Sequence, residues 1–116
     1  MREKDITPEV IRLSKAIAEL WRMKIYVGCW VITLREVVYL IKSESEIEWI
    51  EEDHGGIPIP SISDCLEKLK ELDSEWRTHQ LVAVFDGLLT YDIMTIQIFH
   101  EALLSALLEV LRNNVA

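Results

Sequence analysis

Apolar residues first recur at helical spacing over Val10, Leu13, Ile17, Leu20 and Trp21, with Glu9, Arg12, Lys15, Glu19 and Arg22 on the opposite side. Thr7 precedes this run as an N-cap, Pro8 suits the first helical position, and Glu9 suits the positive end of the helix dipole. Ile6 and Ile11 are placed to close a hydrophobic staple. The pattern predicts an amphipathic helix from Pro8 to about Met23.

From Ile25 the period changes. Val27, Val31, Ile32, Thr33, Val37, Val38 and Ile41 are β-branched, Tyr26, Trp30 and Tyr39 are aromatic, and Gly28 interrupts. Two strands are expected, Cys29 to Leu34 and Glu36 to Ile41, joined at Leu34-Arg35, although these residues suit a primed hairpin turn poorly. The rival reading carries the first helix through this segment. Ser43 to Asp53 is acidic, with Ile47, Trp49 and Ile50 as its apolar residues, and it reads as a connection carrying at most a short edge strand over Ile47 to Ile50. His54-Gly55-Gly56 and Ile57-Pro58-Ile59-Pro60 continue that connection.

Ser61 with Asp64 forms the aspartate version of a capping box, and Ile62, Cys65, Leu66, Leu69 and Leu72 share a face, so a second helix runs to about Asp73. Asp86-Gly87 between two apolar runs is a strong hairpin signal and predicts strands within 81–93. The last helix begins near Gln97. It sets Leu103, Leu104, Leu107, Leu108 and Leu111 on one face, Ala102, Ala106 and Val110 beside them, and Glu101, Ser105, Glu109 and Arg112 as a polar stripe. The expected fold is α+β: an antiparallel sheet of about four strands packed with three helices, in the order α-β-β-α-β-β-α, as a single domain over 1–116.

Composition narrows the function classes. The 116 residues are 50% hydrophobic, enough for a core without metals or disulfides. The longest uncharged apolar run, Ile25 to Leu34, is about half of the roughly 20 residues that span a bilayer, so no membrane segment is expected. The charged N-terminus lacks a signal core, and the reading is cytoplasmic. Cys29 and Cys65 sit among apolar neighbours, as buried reduced thiols do, although sequence alone leaves a mutual disulfide open. A net charge of −8 argues against direct contact with nucleic acid or anionic lipid.

Candidate chemistry is sparse. Glu44, Glu46, Glu48, Glu51, Glu52 and Asp53 with His54 offer carboxylates and an imidazole to a divalent cation, but a charge run of this kind reads first as a solvated loop. Glu48 and Glu51 give the E-x-x-E pair of all-helical nucleotide pyrophosphohydrolases; the matching E-x-x-D does not follow, since Glu71-Leu72-Asp73 is one residue short. His100-Glu101 opens like a zinc-protease motif, yet Leu104 stands where the second histidine belongs. Gly55-Gly56 lacks the spacing of a phosphate cradle. No catalytic residue, cofactor or metal site is assigned.

Trp21 and Trp30 are expected in the core, whereas Trp49 and Trp76, among charged neighbours, are candidate interface residues together with Ala106 and Val110. The apolar last helix predicts a homo-oligomer, with a two-fold dimer as the simplest form, or a protein partner. Gly28-Cys29-Trp30-Val31, Ile59-Pro60-Ser61-Ile62-Ser63-Asp64-Cys65-Leu66 and His100-Glu101-Ala102-Leu103-Leu104 make the chain resemble small uncharacterised phage or prophage proteins. That resemblance implies a mobile-element origin and an accessory role, with no activity to carry over. The functional expectation is a non-catalytic protein-interaction or self-associating accessory module. The alternatives are a small enzyme using the acids with His54 or His79, and an acidic decoy that occupies a basic nucleic-acid-binding surface.

Overall fold

The computed structural model of the chain describes residues 3–72 and 96–115. The hairpin expected over 81–93, Trp76 and His79 lie outside the described residues. After a short turn at Glu3–Asp5, α1 spans Pro8–Ala18, β1 Trp30–Ile32, β2 Val38–Leu40, α2 Glu44–Trp49, β3 Ile57–Ile59, α3 Ile62–Leu72 and α4 Ile96–Val115. The class is α+β, with an antiparallel sheet packed by helices. Among the described residues the sheet has three strands in the order β2-β1-β3, and the helices number four.

α1 starts as its cap dictates: Thr7 Oγ1 accepts the Val10 N–H at 3.2 Å. Val10, Leu13 and Ile17 are buried on its inner face. It ends five residues before the expected Met23, because Leu20 and Trp21 both donate their N–H groups to Ile17 O and turn the chain out of the helix. Tertiary placement explains the early stop. Trp21 packs back on the main core, whereas Met23 and Ile25 belong to a second cluster across the sheet, so the chain has to round the sheet edge between them.

The first hairpin forms where the alternation places it, with Trp30 opposite Leu40, Val31 opposite Tyr39 and Ile32 opposite Val38. The regular strands are shorter than expected, but their ladder runs on through Thr33 N–H to Val37 O at 2.9 Å and Ile41 N–H to Cys29 O at 2.9 Å. The turn is not of the primed kind. Leu34, Arg35 and Glu36 make a three-residue loop in which Glu36 N–H bonds Thr33 O, and Glu36 itself takes φ 61°.

Two expectations are corrected. The edge strand proposed over Ile47 to Ile50 is part of a helical segment, α2 followed by a wider π-type turn over Ile50–His54 that Gly55 closes at φ 54°. Helix prevails because the Glu46 carboxylate caps Ser43 N–H at 3.0 Å and because Ile47 and Ile50, three apart, then face the sheet together. The segment Ile57–Ile59, read as a connection, is β3, with Trp30 opposite Ile59 and Ile32 opposite Ile57. Pro58 is tolerated because β3 lies at the sheet edge.

Strand alternation divides the interior in two. Trp30, Ile32, Val38, Ile57 and Ile59 face a helical layer of α1, α3 and α4, where they meet Val10, Leu13, Ile17, Cys65, Leu69 and the α4 leucines. Cys29, Val31, Tyr39 and Ile41 face the other way, against Ile47 and Ile50. The sheet is therefore covered on both sides. α3 begins as its sequence predicts, with Ser61 N–H bonding Asp64 Oδ2 at 2.9 Å and Asp64 N–H bonding Ser61 Oγ at 3.1 Å. α4 packs against α1 and α3, and Leu103, Leu104, Leu107, Leu108 and Leu111 are all buried within the single chain. No helix among the described residues is long and apolar enough to cross a membrane.

Candidate functional site

The helical layer leaves little apolar surface. All five exposed large apolar side chains among the described residues lie elsewhere: Tyr26 and Val27 before β1, Leu34 and Val37 at the hairpin tip, and Trp49 on α2. The last three belong to one side of the molecule. Val37 continues the sheet face of Tyr39, the Trp49 ring stands at 58° to the Tyr39 ring with centroids 5.8 Å apart, and Leu34 lies over Gly55, where the helical segment ends. Leu34 is 76% exposed, Val37 56% and Trp49 42%.

The acidic run is organised by this segment rather than left as a loop. Glu46 turns inward: its carboxylate accepts from the Tyr39 hydroxyl at 2.5 Å, from Lys42 N–H and from Ser43 N–H. These donors hold Glu46 below the usual carboxylate range, the Tyr39 hydroxyl contributing most, and the same bond pushes the Tyr39 hydroxyl up. Glu44, Glu48, Glu51 and Glu52 are exposed on the segment that carries Trp49. No group of three or more His, Cys, Asp or Glu that could hold a metal occurs among the described residues, and the side chains of Asp53 and His54 lie outside them.

The other expected interface residues are placed differently. Ala106 is half-buried on α4, and Val110 is 3% exposed, sealed by the chain's own helices. The Ala106/Val110 flank of α4 is thus largely covered within the chain. Trp21 and Trp30 are half-buried against the main core, as their apolar neighbours predict. Lys68 Nζ sits 5.0 Å from the centre of the Trp21 ring and 3.1 Å from Glu71.

Two hollows lie beside the end of α1. A groove of about 720 Å³ runs between the end of α1 and Gly55–Pro58, where Lys15, Arg22 and Lys24 alternate with Glu19 and Glu51. Lys15 pairs across to Glu36. A smaller hollow of about 190 Å³ beside Trp21 holds Tyr26, whose hydroxyl donates to Asp64 Oδ2 at 2.7 Å. Burial and then this bond push Tyr26 up to about 12, so it is a structural donor rather than a proton shuttle.

The cysteines and His100 are enclosed. Cys29 and Cys65 are free thiols on opposite sides of the sheet, so no disulfide joins them. Burial pushes them up to about 11 and about 12, which suppresses the nucleophilic thiolate. His100, 1% exposed, donates Nε2–H to Pro60 O at 2.6 Å and has no partner for Nδ1 among the described residues. That bond ties α4 to the loop before α3. Thr7 Oγ1, already capping α1, donates to Glu101 Oε1 at 2.5 Å and ties α4 to the start of the chain.

Comparison with family models, with curated proteins and with solved structures finds no match for this chain. The resemblance to phage proteins rests on its quoted motifs alone. Sequence reasoning found Trp49 from its charged neighbours but passed over Leu34 and Val37. The signal for them was the mismatch already noted, an apolar leucine in a turn whose residues suit solvent-facing hairpins poorly.

Proposed function

We propose that this chain is a non-catalytic protein-interaction module with an accessory role, and that it docks through the α2 side of its sheet. The observation that carries the reading is the strip formed by Trp49, Val37 and Leu34, left exposed in a fold whose helical layer hides its apolar residues. Tryptophan is enriched among the few residues that carry most of the contact energy at an interface, and neighbouring contacts serve to exclude water from it. A cytoplasmic setting belongs to the reading, supported by two thiols that are both free and buried.

The enclosure of Cys29, Cys65 and His100 supports a binding role over catalysis, because none of them offers a reactive atom to solvent. The test is a photoreactive residue placed at position 49, irradiated in cells that make the protein, with one at exposed Arg12 on α1 as the reference. A discrete adduct is expected from position 49 and not from position 12. Equal labelling at both positions, or none at 49, would refute the module reading.

A further inference from the structure

The occupant of the exposed strip can be identified by class from what surrounds it. Two kinds of partner fit an apolar strip: a second copy of this chain, or a different protein. Their charge requirements are opposite. From Ser43 to Asp53 the chain carries six carboxylates and no lysine or arginine. Glu46 is committed to its cap and to Tyr39, and Glu51 lines the groove it shares with Lys15, Arg22 and Lys24, which leaves Glu44, Glu48 and Glu52 exposed on the segment that carries Trp49. On the hairpin, Glu36 is matched by Lys15, and Arg35 and Lys42 are the basic residues nearest the strip in sequence. The three remaining acids therefore outnumber the two bases nearest the strip in sequence.

A two-fold pairing of this face sets each patch against its own copy, and so brings acids against acids as the surfaces lose water. A basic partner meets the opposite situation: its lysines or arginines find carboxylates on the rim while an apolar side chain enters against Trp49, Val37 and Leu34. A pure phosphate mimic would need the acids alone. Here a large indole, tilted against the Tyr39 ring and 42% exposed, shares the segment with them, so the surface suits a ligand with both an apolar and a basic side.

Resting on the module reading above, we infer that the α2 face of the sheet docks a basic amphipathic segment of another protein, Trp49, Val37 and Leu34 receiving its apolar side and Glu44, Glu48 and Glu52 its lysines or arginines. The interaction is salt-sensitive at its rim, where exposed charges are screened, and salt-resistant at its apolar centre.

The probe is a dye-labelled lysine/leucine peptide about four helical turns long, titrated with the full chain by fluorescence anisotropy. Two further peptides serve as references: one with glutamine in place of every lysine, and one with glutamine in place of every leucine. The lysine/leucine peptide is expected to bind at least about tenfold more tightly than either. Trp49→Ser, and separately the double variant Leu34→Ser/Val37→Ser, are expected to weaken it by about tenfold, as is the triple Glu44→Gln/Glu48→Gln/Glu52→Gln variant. The two apolar variants are independent, so one that fails to keep the wild-type circular dichroism leaves the other to decide.

Equal binding of the lysine-free peptide would overturn the basic assignment. Equal binding of the leucine-free peptide, insensitive to Trp49→Ser, would overturn the apolar docking face in favour of a charge-only decoy. A doubled mass by light scattering that Trp49→Ser abolishes would assign the strip to a second copy and overturn the inference. Absence of peptide binding alongside a discrete adduct from position 49 would sink this inference while the module reading stands; absence of both would sink both.

Discussion

Gly56 is the position at which the second core is most sensitive. A Cβ added there would lie 2.3 Å from Ile50 Cγ2 and 3.4 Å from Val31 Cβ. Carbon atoms settle at about 3.5–4.0 Å, so Ile50 would have to withdraw by more than about 1 Å. It has nowhere to withdraw. Ile50 is fully buried and packs with Val31 and Ile41, themselves at 0% and 1% exposure. Gly56→Ala is therefore expected to cost about 1–3 kcal/mol, the usual penalty of overpacking, even though glycine to alanine at an unstrained position ordinarily stabilises by about 0.4–1 kcal/mol. Ile50→Ala alone, which removes the clashing methyl and leaves a cavity, is expected to cost about 2–5 kcal/mol. The informative quantity is the double variant. With Cγ2 gone, the new alanine methyl fills part of the cavity, so the combined loss should fall short of the sum by about 0.5–3 kcal/mol. Urea unfolding followed by far-ultraviolet circular dichroism measures all four corners of the cycle. Additive losses, or a Gly56→Ala variant more stable than the wild type, would show that the turn does not press Ile50 onto the sheet as described.

Three other expectations are simpler to state. Glu36 sits at φ 61°, where a Cβ is strained, and its ion pair with Lys15 is too exposed to hold much, so Glu36→Gly should raise stability by about 0.5–1 kcal/mol, read as a higher urea midpoint at unchanged slope; a lower midpoint would count against the left-handed turn. Ser14 is fully buried on α1 with no hydrogen-bond partner for its hydroxyl among the described residues, so Ser14→Ala should be neutral or stabilising by about 1 kcal/mol, and a clear loss would reveal a partner for that hydroxyl. His100 is lowered below its ordinary value chiefly by burial, against the opposing pull of Pro60 O, Glu101 and Asp5, so the unfolded chain takes up a proton first as pH falls. The stability present above about pH 6.5 should decline below it until the folded-state value is passed, and His100→Gln should flatten that part of a urea-midpoint profile between pH 7.5 and 5.

How far the fold could be read from residues depended on whether local and tertiary preferences agreed. They agree at Thr7-Pro8-Glu9 and at Ser61 with Asp64, where a cap, a following apolar face and the final packing all ask for a helix, and both helices begin where expected. They conflict in the segment from Glu44 to Ile59. Ile47, Trp49 and Ile50 fit a short strand as well as a helix turn, and the choice turns on the Glu46 cap together with a sheet face that needs Ile47 and Ile50 side by side. Ile57-Pro58-Ile59 carries the proline signature of a loop, and becomes a strand because β1 supplies a partner, β3 being paired on one side only among the described residues.

The same sheet explains the surface that reasoning from residues overlooked. A strand with one wet face alternates, whereas Trp30, Val31 and Ile32 are apolar in succession because helices cover both faces of β1. Continuous apolar sequence is therefore the mark of two-sided cover, and Leu34 and Val37 look like ordinary members of such a run. Their exposure arises because α2 and its closing turn are short: Ile47 and Ile50 reach Val31, Tyr39 and Ile41, and the hairpin projects beyond them. The helical segment ends at Gly55, directly beneath Leu34, so the outer end of the hairpin keeps its apolar side chains exposed next to an acidic segment.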